Sequence, residues 1–208
     1  MSSTSPCVYS FSQSLYLSQQ VVELDNLVMQ HEGIPAIVLM KRAGRKAFDC
    51  IFDLWPKTTA LHLFCGTGNN GGDGYVIAAL AKQRNIDVTL WTLGEPAKDS
   101  TASVTSEYAL QEGVECRAFD AAAFIDSQLM QGQHTVLIDA LLGTGSQGEL
   151  RENISQAVIA MNTAKTSQGW PVLAIDIPTG VNGDTGAVAS VAVTADATIS
   201  FIGQKQGL

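Results

Sequence analysis

The chain has 208 residues, 46% of them hydrophobic, and a formal net charge of -8. That length and apolar content suit one large α/β domain with a sizeable core, and the negative charge argues against nucleic acid and against an anionic membrane surface as partners. No apolar run reaches the length of a membrane span, no secretory h-region follows Met1, and Cys7, Cys50, Cys65 and Cys116 show no CxxC spacing. Reduced thiols in a cytoplasmic protein are therefore expected.

In chain order, residues 1–13 are Ser-rich and read as an arm that is frayed or ordered only on contact. Val21, Val22, Leu24, Leu27 and Val28 form a helical stripe closed by Gly33. Pro35 suits the first turn of a second helix, whose broad apolar face includes Ile37, Leu39, Met40, Ala47, Phe48 and Ile51. Both helices precede the first strand, so they must pack outside the sheet or against a partner subunit. Their apolar positions, Leu27, Val28, Ile37, Leu39 and Met40 among them, exceed what one sheet face needs, which predicts a homodimer or larger assembly.

From Ala60 the pattern alternates. Strands are expected at 61–65, 87–93, 115–119, 135–139, 172–176 and 195–202, with helices at 75–84, 102–111, 121–130 and 150–162 between them. Strands joined by single helices imply a Rossmann-like α/β three-layer sandwich: a mostly parallel sheet, helices on both faces, and the two extra N-terminal helices outside it. In such a sheet the ligand lies beyond the carboxyl ends of the strands.

Three strand ends converge there. The first runs into Gly66-Thr67-Gly68-Asn69-Asn70-Gly71-Gly72-Asp73-Gly74, the fourth into Asp139-Ala140-Leu141-Leu142-Gly143-Thr144-Gly145, and the fifth into Asp176-Ile177-Pro178-Thr179-Gly180. The first has the order strand, glycine-rich loop, helix opening near Asp73. Its glycines allow positive φ and close backbone approach, and a helix N-terminus offers N–H groups to an anion. Asn69, Asn70 and Asp73 exceed what phosphate cradling requires and suggest cation ligands or polar substrate contacts.

Both Gly66-x-Gly68-x-x-Gly71 and Gly143-x-Gly145-x-x-Gly148 match the dinucleotide fingerprint, a permissive pattern when met alone. A hydride-transferring oxidoreductase also needs an acid after the second strand for the ribose, and only Glu95 stands there. Asp139 and Asp176 each end an apolar strand, where a carboxylate serves either as a loop-fixing acceptor or as a rigid general acid/base. Lys205, after the sixth strand, is a candidate phosphate contact, a solvated lysine being the alternative. His31, His62 and His134 avoid the strand ends and read as structural, and no zinc spacing or GxSxG nucleophile context occurs.

The loop Gly68-Asn69-Asn70-Gly71-Gly72-Asp73-Gly74, the segment Ile138-Asp139-Ala140-Leu141-Leu142-Gly143-Thr144-Gly145 and Asp176-Ile177-Pro178-Thr179-Gly180, in this order, resemble the NAD(P)H-hydrate epimerase family. Leu39 to Gly44 and the closing Lys205-Gln206-Gly207-Leu208 extend the resemblance to nearly the whole chain. It implies epimerisation of the R and S forms of NADHX and NADPHX, cofactors hydrated on the dihydropyridine ring, and coupling to a dehydratase that acts on the S form. It further implies that Asn69, Asn70, Gly71, Gly72 and Asp73, then Gly143, Thr144, Gly145, Ser146, Gln147, Gly148 and Glu149, and finally Asp176 contact the substrate. A potassium ion would be held by Asn70, Asp139 and Thr179, the last replacing the family's usual serine while keeping a hydroxyl oxygen. Asp176 is the expected catalytic residue. Since bifunctional relatives continue into a dehydratase domain, the chain is read as one domain, 1–208, either the first part of a longer protein or a stand-alone epimerase. A Rossmann oxidoreductase and a non-catalytic nucleotide-binding or interaction module are the alternatives.

Overall fold

A computed structural model describes residues 14–128, 134–146 and 148–208. The proposed arm at 1–13, Cys7, the end of the helix expected to reach Met130, and Gln147 lie outside these residues. The elements are β1 (Leu15–Tyr16), α1 (Ser18–Glu32), α2 (Ala36–Leu54), β2 (Ala60–Cys65), α3 (Asn69–Gln83), β3 (Asp87–Thr92), α4 (Thr101–Gln111), β4 (Cys116–Ala118), α5 (Ala121–Gln128), β5 (Thr135–Ala140), α6 (Glu152–Gln168), β6 (Val172–Ile175), β7 (Ala197–Ile199) and β8 (Gln204–Lys205).

Six strands form one sheet in the order β4-β3-β2-β5-β6-β7, and every neighbouring pair is parallel. Every residue of β2, β5 and β6 is buried, as expected of central strands covered on both faces. Side chains alternate between two cores. Leu61, Leu63, Ile138 and Leu173 face α2 and α3 with Phe48, Ile51 and Ile77, whereas Phe64, Leu137 and Val172 face α5 and α6 with Phe124, Val158 and Met161. From β2 the chain builds outward to β3 and β4, then returns to lay β5, β6 and β7 on the other side. The strand order therefore reverses between β2 and β5, and the crevice opens at their carboxyl ends.

The helix after β2 begins at Asn69, not near Asp73. Three glycines within its first six residues argue against a helix on propensity alone, and none of them adopts positive φ. They are there for close packing. A Cβ at Gly71 would stand 2.0 Å from the Gly66 carbonyl oxygen, one at Gly72 2.5 Å from the Met40 sulfur, and one at Gly74 2.5 Å from the Cys65 sulfur. Tertiary contact thus overrides propensity, and α3, buried from Asn70 through Ala81, becomes the centre of its layer between α2 and α4.

The N-terminal region departs further from expectation. The apolar stripe of α2, with Met40, Ala47, Phe48 and Ile51, packs on α3. In contrast, α1 buries only Val21. It is held at its start, where the Ser18 N–H donates to Asp184 Oδ1 at 2.6 Å and β1 pairs in parallel with β8. The strand expected at 195–202 is only Ala197–Ile199. Ile202 turns the chain with φ 66°, and Gln204–Lys205 then leaves the main sheet to pair with β1.

His62 is the one buried histidine, enclosed by Trp91, Phe124 and Trp170. Its Nδ1 accepts from Trp91 Nε1 at 3.1 Å, and Nε2 has no partner among the described residues. Burial, with a smaller contribution from Arg117, lowers its pKa from 6.5 to about 4. The unfolded chain therefore takes up this proton first as the pH falls. The associated stability is complete above the unfolded value of 6.5 and is lost progressively down to about 4, by about 3 kcal/mol. Asp139 acts in the opposite sense over part of that range, so the measurement is a comparison: His62→Gln, which keeps an acceptor for Trp91, should show a flatter urea-stability profile between neutral pH and pH 4. Parallel profiles for the two proteins would refute this.

Candidate functional site

The crevice at the β2/β5 switch point holds a cavity of about 540 Å³ bordered by the α3 N-terminus, the loop after β5, Asp176 and one face of α1. A second cavity of about 460 Å³ adjoins it between α1, α2 and the start of α3, sharing Asp25, Asn69 and Asp73. On the other flank a pocket of about 200 Å³ lies between the β5 loop and the segment after β6. Together these volumes suit a ligand of dinucleotide size rather than a single small ring.

Asp176 is the first residue beyond β6. Its N–H donates to Ile199 O at 2.8 Å, and its φ of 68° turns the chain out of the sheet two residues before Pro178. A left-handed residue other than glycine is uncommon, although Asp tolerates it better than most. Its carboxylate therefore enters the crevice from a rigid strand end. Oδ2 accepts from the Thr144 N–H at 3.0 Å, and Oδ1 accepts from Lys205 Nζ. A Cβ on Gly143 would stand 2.9 Å from Oδ2 and 3.4 Å from Asn70 Cβ, so only glycine lets the β5 loop approach both side chains.

Lys205 corrects the expectation of a phosphate contact or a solvated surface residue. It is fully buried and borders none of the three cavities. Besides Asp176, its ammonium donates to Ser200 Oγ at 2.8 Å and to Phe201 O at 3.4 Å. The turn at Ile202 brings it back beneath Asp176, and its neighbour in β1 is Tyr16, the residue from which α1 springs.

Asp139 is also completely buried. Its Oδ1 accepts from Thr179 Oγ1 at 2.8 Å and Leu141 N–H at 3.2 Å, and Oδ2 accepts from Thr179 N–H at 2.8 Å. Thr179 Oγ1 in turn accepts from Leu142 N–H at 3.1 Å. This network ties the β5 and β6 loops together. Burial raises the Asp139 pKa to about 6, against the opposing effect of its hydrogen bonds. Asn70 borders the main cavity, and both its side-chain polar atoms are buried without a partner among the described residues.

Of the other expected contacts, Asn69, Asp73, Gly143, Thr144, Gly145 and Ser146 border the main cavity, whereas Gly148 and Glu149 border the flanking one. Gly71 and Gly72 border neither and serve helix packing instead. Only the first glycine fingerprint stands at a strand-to-helix turn. The second lies in a loop, with Gly148 at φ 83° and α6 starting only at Glu152. Glu95 is exposed. Cys50, Cys65 and Cys116 are free thiols, and burial pushes that of Cys65 well above its ordinary range.

Asp25, Val21 and Val22 on α1 also border the main cavity, and sequence reasoning did not single out Asp25. Burial and the neighbouring Asp176 raise its pKa, with Lys205 opposing. No motif marks it. Its place follows from the β1–β8 pair and the Ser18–Asp184 bond, both made between residues far apart in the chain.

Residues 36–207 match the family described as YjeF-related protein N-terminus. The chain is 37% identical over 194 residues to the bifunctional NAD(P)H-hydrate repair enzyme Nnr of Coxiella burnetii, a match covering 93% of this chain and 38% of that protein. It is 32% identical over 204 residues to the NAD(P)H-hydrate epimerase of Legionella pneumophila subsp. pneumophila, covering 98% of this chain and 74% of the relative. The fold superposes on the crystal structure of yeast ynu0, YNL200c, with a TM-score of 0.81 at 19% identity, over 93% of this chain and 82% of that one. The chain thus spans well under half the length of the bifunctional relative and about three-quarters of the epimerase.

Proposed function

This chain belongs to the YjeF-related protein N-terminus family, and from that premise we propose that it interconverts the R and S forms of NADHX and NADPHX. Relatives named NAD(P)H-hydrate epimerase and NAD(P)H-hydrate repair enzyme support the substrate class. The observation that carries the reading is Asp176, paired with a buried ammonium at the mouth of a switch-point crevice. The carbon that inverts bears a hydroxyl and adjoins the ring nitrogen. Loss of the hydroxyl leaves an iminium-like ring, and water added to the other face gives the opposite epimer. A carboxylate there stabilises the positive ring and takes a proton from the incoming water. The loop of Gly143 and Thr144, pinned to Asp176 by the Thr144 bond, holds the ring beside it. Coupling to an NAD(P)HX dehydratase follows, because epimerisation has value only where one epimer is consumed. The test is chromatographic separation of R- and S-NADHX after incubation with the chain, above the uncatalysed rate. A change in NAD(P)H absorbance at turnover would instead indicate an oxidoreductase.

A potassium ion fits this site. The donor set of one carboxylate, one amide and one hydroxyl is all oxygen and low in charge, which suits a hard monovalent ion. Among the described residues no group of three or more His, Cys, Asp or Glu could hold a metal. The unpartnered Asn70 side chain lacks what a cation would provide. Asn70, Asp139 and Thr179 would hold the ion, which when bound neutralises Asp139 and ties the loops after β2, β5 and β6. Potassium should therefore raise the melting temperature relative to tetramethylammonium, by an amount equivalent to about 2.7 kcal/mol at about a hundredfold excess over Kd. Asp139→Asn should abolish the difference. Equal melting of wild type in both salts would remove the ion from the site.

No helix among the described residues is long and apolar enough to cross a membrane. Leu27 and Val28 leave an exposed apolar face on α1, while Met40 is buried within the subunit. That face supports self-association through α1, with a cytoplasmic setting in keeping with the free thiols. Light scattering at micromolar concentration should give a dimer or larger species, and a monomer there would exclude it.

A further inference from the structure

We infer, on the epimerase reading above, that Asp73 is the acid that protonates the departing hydroxyl, while Asp176 receives the proton of the water that re-adds. Asp73 is only 9% exposed. It borders both large cavities, at the wall they share, and its side chain makes no hydrogen bond or ion pair with any described residue. Its carboxyl faces the cavities rather than being sealed inside the protein. A ligand in either cavity therefore has direct access to this carboxyl.

The surroundings separate the two carboxyls. Asp176 has the Lys205 ammonium and the Thr144 N–H. Asp73 has neither. Burial, then the nearby Asp176 and Asp25, push it well above the ordinary carboxylate range, which favours its protonated form relative to Asp176 with its ammonium partner. Other groups facing this space are Asp25 from α1, Arg42 and Lys46 from α2 at the outer cavity, Cys65 from β2 beneath, and Lys205 behind Asp176. Paired carboxyls whose environments differ in this way divide into acid and base.

The step balances. The Asp73 proton passes to the hydroxyl oxygen, the carbon–oxygen bond breaks with its electron pair on the leaving water, and the ring nitrogen lone pair forms the C=N⁺ bond. Water then adds to the other face, the C=N⁺ pair returns to nitrogen, and the proton lost by that water goes to Asp176. Transfer of this proton from Asp176 to Asp73 restores the starting state, with no net change in protons or electrons.

The test uses Asp73→Asn in the full chain, with chemically prepared R- and S-NADHX as probe. We expect kcat to fall at least about a hundredfold with little change in KM, because the shape and polarity of the side chain are kept. In wild type, infrared difference spectroscopy at neutral pH should show a protonated carboxyl band that is absent in Asp73→Asn but kept in Asp139→Asn. An active wild type with no such band, or with a variant of near-normal kcat or a loss confined to KM, overturns the role of Asp73 alone. A folded wild type that shows the band but does not interconvert the epimers overturns the function, and this assignment with it.

Discussion

Asp176→Asn should lower R/S interconversion by at least about a hundredfold while NADHX still binds. The amide keeps the shape of the side chain and an oxygen to accept from the Thr144 N–H, but it cannot take a proton from water or balance charge on the ring. The slow uncatalysed equilibration must be subtracted first. The substitution also leaves Lys205 as a buried ammonium without its counter-charge, so the folded fraction must be measured alongside the rate. A folded variant with near-normal epimerisation above background would take the proton-accepting role away from Asp176.

The second large effect concerns stability. The Lys205 side chain has no exposure and that of Asp176 only 18%, so this ion pair differs from the weak pairs of the surface. Removing one partner of a buried pair typically costs about 3–5 kcal/mol, because the remaining charge is uncompensated. Lys205→Met should lower unfolding stability in urea by about that amount. Replacing both partners by neutral groups of similar size is often close to neutral. The double variant Asp176→Asn with Lys205→Met should therefore recover most of the stability and none of the activity. If Lys205→Met were as stable as wild type, the pair would not be the anchor the geometry indicates. If the double variant regained activity, the chemistry would have to be assigned elsewhere.

These two side chains also show how far the sequence could be read. Asp176 was legible because a buried apolar run that ends in Asp and is followed by Pro leaves few conformations for the residue between them. The same reasoning located Asp139, Asn70 and Asp73, since in a parallel sheet the end of every strand meets the same edge. Lys205 was legible as a residue of interest but not in its role. The strand before it is shorter than its composition suggests, and after a non-glycine left-handed turn at Ile202 the chain leaves the main sheet to pair with β1.

Local pattern and connectivity determined the class of sheet, the edge on which the site lies and two of the acids that line it, Asp73 and Asp176. They could do so because strand periodicity, turn residues and the handedness of crossovers act over short stretches of chain. Tertiary structure alone decided three further things. It made the glycine-rich segment after β2 a helix, because contacts with Gly66, Met40 and Cys65 outweigh the low helix propensity of glycine. It laid α1 across the crevice with Asp25, through a strand pair and a cap that join residues on opposite ends of the chain. And it separated the environments of Asp73 and Asp176, since desolvation and charge pairing depend on which groups lie near in space, which a linear pattern of residue types does not encode.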